Sequence, residues 1–320
     1  MPFHWTSMWA SARTGRTRRV DVAPERLTGV RARLLLLAAA TLFSTGGAAI
    51  KASHLTGWQV ASFRSGIAAL ALVLMLRGAR RLPDRATWGI GVVYAATMIL
   101  FVVANKLTTA ANAIYLQSTA PLYILLAAPV LLREPVKRAD LWFMAALGLG
   151  LATFFMGQEL PRQTAPDPAL GNLAALLCGV TWAGTVIGLR WLGRRTSDAS
   201  GTQPALVAGN LLACVAALPL ALPVHALPLR DVALLVFLGV FQIGLAYACL
   251  SHGIAGVPAL EASLLLLLEP VLNPIWAWLV HGEFPGRWAL AGAAIILAAT
   301  IVRTWWDTRG APAATATAET

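Results

Sequence analysis

Charge is scarce in this sequence: only 12% of its 320 residues are Asp, Glu, Lys or Arg, about half the share of an ordinary soluble domain. Set against 58% hydrophobic residues, that scarcity excludes a chain that hides its apolar surface in one soluble core. Acidic residues are rarer still, 14 against 25 Lys and Arg, for a net charge of +11. Cys178, Cys214 and Cys249 are the only cysteines and stand more than thirty residues apart. Neither a disulfide framework nor a metal site is expected from them, and they read as small packing residues. H-E-x-x-H, G-x-S-x-G and a phosphate-binding loop are also missing, and "TGGAAIKAS" at 45–53 has the wrong Gly-to-Lys spacing for the last. The expectation is no enzyme, no cofactor and no ATP-driven pumping by this chain alone. The first 33 residues hold no apolar run, so the first apolar segment, rather than a cleavable signal peptide, is expected to start insertion.

Long apolar runs are what the sequence has in quantity. A hydrocarbon core of about 30 Å takes roughly 20 apolar residues per helix. Such stretches occur at 34–53, 58–76, 87–104, 110–132, 139–157, 171–190, 204–222, 231–250, 258–280 and 288–304. They are rich in Leu, Ala and Val without the alternation of barrel strands, and a helix satisfies its own backbone in lipid. The expected fold class is an all-α membrane protein with ten transmembrane helices.

The basic residues then encode orientation. With the N-terminus in the cytoplasm, the arginines of the head, Arg77 to Arg85, Arg133 to Arg138, Arg190 to Arg195, Arg303 and Arg309 all fall inside. Only Lys106, Arg162, Arg230 and Arg287 fall opposite, which follows the positive-inside rule. The charge therefore points to the lipid bilayer rather than to nucleic acid as partner. Both termini are expected in the cytoplasm, on a multi-pass protein of the plasma membrane, of the bacterial inner-membrane type. Trp58, Trp88, Trp142, Trp191, Trp288, Trp305 and Trp306 lie at span ends, where indoles anchor in the headgroup region.

An internal repeat organises the chain. "ANAIYLQSTAPLYILLAAPVLLREPVKR" from Ala111 aligns with "LEASLLLLLEPVLNPIWAWLVHGEFPGR" from Leu260 at a constant offset of 149, with Pro121 on Pro270 and Glu134 on Glu283. These are the fourth and ninth spans, so a five-span unit occurs twice, and because five is odd the second copy enters upside down. The domains expected are a basic head (1–33) and tail (305–320) whose compositions predict disorder, repeats at 34–157 and 171–304, and an extracytoplasmic linker at 158–170.

Glu269 is the conspicuous anomaly. A central charge costs roughly 2.5 to 3.5 kcal/mol on insertion, and Leu264 to Leu268 return about 0.3 to 0.6 each. The carboxyl should face the bundle interior as a substrate or proton site, or be a structural group locking its helix. Arg64 in the second span is a candidate partner across a central cavity; Lys51 is expected to snorkel outward. Pro121 and Pro270 are expected to kink their helices, freeing the carbonyls of Gln117 and Leu266 toward protein or water. Gln117, Tyr123, Trp182, Gln242 and Trp276 are expected to line the cavity, while Gly148, Gly150, Gly292 and Ala293 read as close helix packing.

Two five-helix halves, each closing with a Pro and a Glu thirteen residues later, resemble the drug/metabolite transporter superfamily, specifically its EamA-type members. The residues that carry this are Ala113, Pro121 and Glu134, then "LEPVL" (Leu268 to Leu272) with Glu283, and "FRSGIAAL" with Arg64 in the second span. The first span reads "LFSTGG" where many relatives have Trp-Gly. The resemblance implies ten helices with both termini cytoplasmic and transport of small metabolites or drugs, commonly outward. Lacking a nucleotide site, such a chain would be a secondary transporter working by alternating access, exporting amino acids or related compounds. Proton coupling through Glu269 and a homodimer are left open, and the rival reading is a transporter-like scaffold or receptor without solute flux.

Overall fold

The computed structural model describes residues 29–131, 138–156, 164–196, 199–253, 265–266 and 268–310. The head before residue 29, the tail after residue 310, Glu134 and residues 158–163 of the proposed linker lie outside the described residues. Among the described residues the chain is helical and holds no strand. Helices α1 (Gly29–Ser44) and α2 (Gly46–Ala52) fill the first expected span, α3 (Gly57–Met75) the second and α4 (Arg85–Leu107) the third. The fourth is divided into α5 (Ala110–Gln117) and α6 (Ala120–Leu131), and α7 (Arg138–Met156) follows. Then come α8 (Pro168–Thr196), α9 (Gln203–Ala221), α10 (Leu229–Val236), a π-helical turn at Phe237–Leu245, α11 (Ala246–Gly253), α12 (Leu268–His281) and α13 (Arg287–Gly310).

Among the described residues, six helical stretches are long and apolar enough to cross a membrane: Val30–Ala52, Gly57–Met75, Arg85–Leu107, Pro168–Leu189, Ser200–Ala221 and Leu229–Gly253. Their boundaries are set by side chains that satisfy the free N–H groups of a first turn. Thr56 caps α3 in a reciprocal box with Gln59. Asp84 accepts from the Thr87 N–H ahead of α4, and Thr109 from the Asn112 N–H ahead of α5.

Helix α4 packs on α8 and α9, and α3 on α9, on α4 and on the π-helical turn. On the other side α1 packs on α11, and α12 on α1, α2 and α5, while α7 and α13 pack on each other. Small residues let these helices close in, as is usual where lipid supplies no hydrophobic drive between them. A Cβ on Gly209 of α9 would stand 2.9 Å from the Gly91 carbonyl oxygen of α4. Ala293 of α13 is buried in the core, as expected. Gly148 departs from expectation: a Cβ there would meet nothing within 4 Å, so no neighbouring helix requires its smallness. The span-end tryptophans Trp58, Trp88, Trp142, Trp191 and Trp288 are all exposed at the protein surface.

Candidate functional site

The site forms where helices are interrupted. Between α1 and α2 the Ser44 and Thr45 hydroxyls donate back to the Thr41 and Leu42 carbonyls, both at 2.7 Å. Such back-bonding bends a helix. Gly46 and Gly47 follow, with no side chain to keep neighbours away. A Cβ on Gly46 would come within 2.8 Å of Gln242 Nε2, and one on Gly47 within 2.6 Å of Asn273 Oδ1. Gln242 rides on the π-helical turn, a rare geometry that often marks functional positions. Its Nε2 reaches the Phe43 carbonyl at 3.5 Å, and Trp276 Nε1 donates to Ser44 Oγ at 2.9 Å. The end of α1 thus gathers α12 and the π-helical turn.

Arg64 of α3 lies behind Gln242 and is 1% exposed. Its Nη2 donates to the Met98 carbonyl at 3.0 Å, its Nη1 points at Gln242 Oε1 at 3.4 Å, and its guanidinium stands 5.9 Å from the Phe101 ring centre. The Arg64 Nε has no partner. Arg64 and Glu269 are both described residues, and no direct ion pair joins them. An amide, a carbonyl and an aromatic face hold the guanidinium instead. Glu269, in the first turn of α12, is half-buried. Both Arg64 and Glu269 lie within electrostatic reach of the Cys178 thiol and the Tyr247 hydroxyl, so the two charges share one region of the bundle.

Helix α8 connects the remaining candidates. Trp182, half-buried, stands one turn after Cys178 on the same helical face. Gly179 lies against the α5–α6 break, where its Cβ would be 3.2 Å from the Leu116 carbonyl and 3.3 Å from that of Gln117. The break at Ser118 and Thr119 falls just ahead of Pro121, so the opened carbonyls face protein, as expected of a helix interrupted in a membrane. The Gln117 Oε1 is buried without a partner, and Tyr123 is half-buried one turn beyond the break. Pro270 lies in the first turn of α12, where proline is tolerated; residues 261–264 and 267, which its expected kink involves, lie outside the described residues. The proline interior to α12 is Pro274.

The sequence pattern of the EamA-like transporter family matches residues 30–156 and again 169–305. The chain belongs to the EamA-like transporter family. Its curated relatives include the pseudopaline exporter CntI of Pseudomonas aeruginosa, in strains UCBPP-PA14 and PAO1. Each is 25% identical over 276 residues, spanning 84% of this chain and 94% of the relative. A protein known from its crystal structure superposes with a TM-score of 0.59 at 20% identity, covering 87% of this chain and 98% of that one, a likeness of fold. The resemblance drawn from Pro121, Glu134, Pro270 and Glu283 is thereby borne out, and this protein is a multi-pass membrane transporter.

Sequence reasoning missed a second group of this EamA-type transporter, at the end of the bundle where α2, α4 and α12 finish. Lys51 does not snorkel. Its Nζ stands 2.9 Å from Glu283 Oε1 with side-chain exposures of 3% and 4%, and it also donates to the Thr108 carbonyl at 2.7 Å and to that of Thr164. A carboxylate and carbonyls beyond helix ends offer the ammonium better partners than the interface does. Glu283 Oε2 accepts the Ala110 N–H at 3.0 Å, an orphan donor at the start of α5. Nearby, Lys106 Nζ donates to the Ser53 carbonyl at 2.6 Å, and the buried Asp231 accepts the His54 N–H at 3.0 Å. The sequence signal was available: Lys51, Lys106, Asp231 and Glu283 all sit at one set of span ends, two of each sign.

Proposed function

We propose that this transporter exports small amino-acid-like metabolites across the plasma membrane by alternating access of two inverted five-helix repeats. The observation that carries the substrate class is the separation of two charges. Arg64 is buried with no acidic partner among the described residues, and Glu269 stands apart from it on the same region. A solute bearing a carboxylate and an ammonium would complete both, the first on the guanidinium and the second on Glu269, with Gln242, Trp276, Trp182, Tyr123 and Gln117 as the polar and aromatic lining. The named function of the Pseudomonas aeruginosa relatives, export of pseudopaline, supports the outward direction.

Contacts between helices support the repeat arrangement. Shifted by about one repeat, α4 on α8 falls on α11 on α1; α4 on α9 falls on the π-helical turn against α3; and α5 and α6 on α8 fall on α12 against α1 and α2. The pairs α3 with α9 and α7 with α13 fall on themselves. A two-fold relation between repeats at about 34–157 and 171–304 produces this exchange, and an odd span count per repeat makes the relation an inversion.

Purified transporter in lipid vesicles tests the reading. Flux of a labelled amino acid should require both solute charges, being competed by other zwitterions and poorly by simple amines or carboxylates. Arg64→Gln and Glu269→Gln should each lower it by roughly tenfold or more, the scale of a lost charge-assisted hydrogen bond. Flux that follows an imposed pH gradient in the parent and ignores it in Glu269→Gln would make Glu269 the proton carrier as well. No flux of any zwitterion tried would sink the proposal.

A further inference from the structure

We infer that Lys51 and Glu283 form the outer latch of the transport cycle, a buried ion pair that closes the chamber on the extracytoplasmic side and must separate for solute to leave. The inference rests on the proposed orientation, with the ends of α2, α4 and α12 facing outward.

The pair joins the two halves of the chain. Lys51 ends α2 in the first half, and Glu283 follows α12 in the second. A second tie of the same kind lies beside it, with Asp231 of α10 accepting the His54 N–H and its other oxygen 3.5 Å from His54 Nδ1. His281 at the end of α12 also makes a 2.8 Å contact through Nε2 with the Ala48 carbonyl of α2. Polar contacts thus join the outer ends of the two halves at three points. Such a closure differs physically from an apolar one. Charges parted in a low-dielectric seam are costly, but charges parted into water regain hydration, which offsets the lost attraction. An ion-pair seal is therefore firm while dry and separable once water enters, whereas an apolar seal loses free energy over its whole area on opening.

The partners are unequal in a way that suits a latch. Lys51 keeps the Thr108 carbonyl within its own half when the halves part. Both described contacts of Glu283, with Lys51 and with the Ala110 N–H, cross to the other half, so Glu283 is the member released into water. Thr164, just before α8, adds its carbonyl to Lys51, which ties the segment between the repeats to the same point.

Cys178 supplies a native reporter, since it is fully buried within electrostatic reach of Arg64 and Glu269. In a chain with Cys214 and Cys249 replaced by Ala, a membrane-impermeant maleimide applied from outside should label Cys178 slowly. Glu283→Gln should speed that labelling by roughly fivefold or more, the low end of ordinary coupling between sites, with labelling from the cytoplasmic side unchanged or slower. Faster labelling from the cytoplasmic side alone would keep the latch and overturn the orientation. Unchanged labelling from both sides in a folded, monodisperse variant would overturn the latch.

A second experiment leaves the pair itself intact. Cysteines placed at Ala52 and Phe284, in a chain otherwise free of cysteine, lie one residue beyond each partner. Joining them with a short bifunctional thiol reagent should stop flux in vesicles, and a cleavable reagent should allow its return on reduction. Full flux through the cross-linked protein would also overturn the proposal. Because the cross-link acts on any solute the protein carries, its outcome is independent of whether amino-acid-like metabolites are the right class.

Discussion

Arg64 shows how much one side chain can decide. Held by the Met98 carbonyl, the Gln242 amide and the Phe101 face, it is fixed in place without being neutralised. A guanidinium offers a planar fork to a carboxylate, whereas a lysine ammonium is a compact point charge. Arg64→Lys keeps the sign of the charge and loses the fork. It should raise KM for a carboxylate-bearing solute by roughly tenfold, the scale of one charge-assisted hydrogen bond, with a smaller effect on kcat. Initial-rate measurements on reconstituted vesicles over a range of solute concentrations check this. A fall in kcat with KM unchanged would place Arg64 in the moving parts rather than in binding.

At the scale of elements, the interruptions matter more than the helices. The π-helical turn at Phe237–Leu245 sets the direction of Gln242. Deleting Val240 removes one residue and favours ordinary α-helical winding, which turns Gln242 away from Arg64. Flux should be lost while helical content by circular dichroism stays unchanged. Nothing in "FLGVFQIGL" announced that turn, because π winding is imposed by neighbours; a Cβ on Gly239 would meet Ile67 of α3 at 2.6 Å. What could be read in advance were features written locally. Apolar length showed in the sequence as helix, and the Pro121 and Pro270 spacing with Glu134 and Glu283 showed as the family. The bend after Ser44 and Thr45 and the meeting of Lys51 with Glu283 could not be read, because each depends on which distant surfaces fold together. Arg64 and Glu269 were both legible as interior charges from the cost of placing them in lipid. Their separation was not, since sequence distance says nothing of the gap between two helices.

For the whole molecule, basic residues and repeat symmetry make one joint statement about topology. If the second repeat is the first turned over, both termini lie on the cytoplasmic side and the segment around Thr164 lies outside. A fluorescent tag that folds only in the cytoplasm should be bright at either terminus, and a single cysteine at Thr164 should react with an impermeant reagent in whole cells. Opposite locations for the two termini would break the inversion. On the proposed inversion, closing one end and opening the other are equivalent motions, each using the other's helices.

The guanidinium near the middle of the bundle has one more consequence, for the cell's electrical gradient. Arginine keeps its proton throughout the physiological range, so this protein carries a permanent positive charge inside the insulating layer. A full charge displaced across 100 mV exchanges about 2.3 kcal/mol with the field. Any shift of α3 along the membrane normal during turnover therefore makes the cycling rate respond to voltage, even when the cargo itself is electrically neutral.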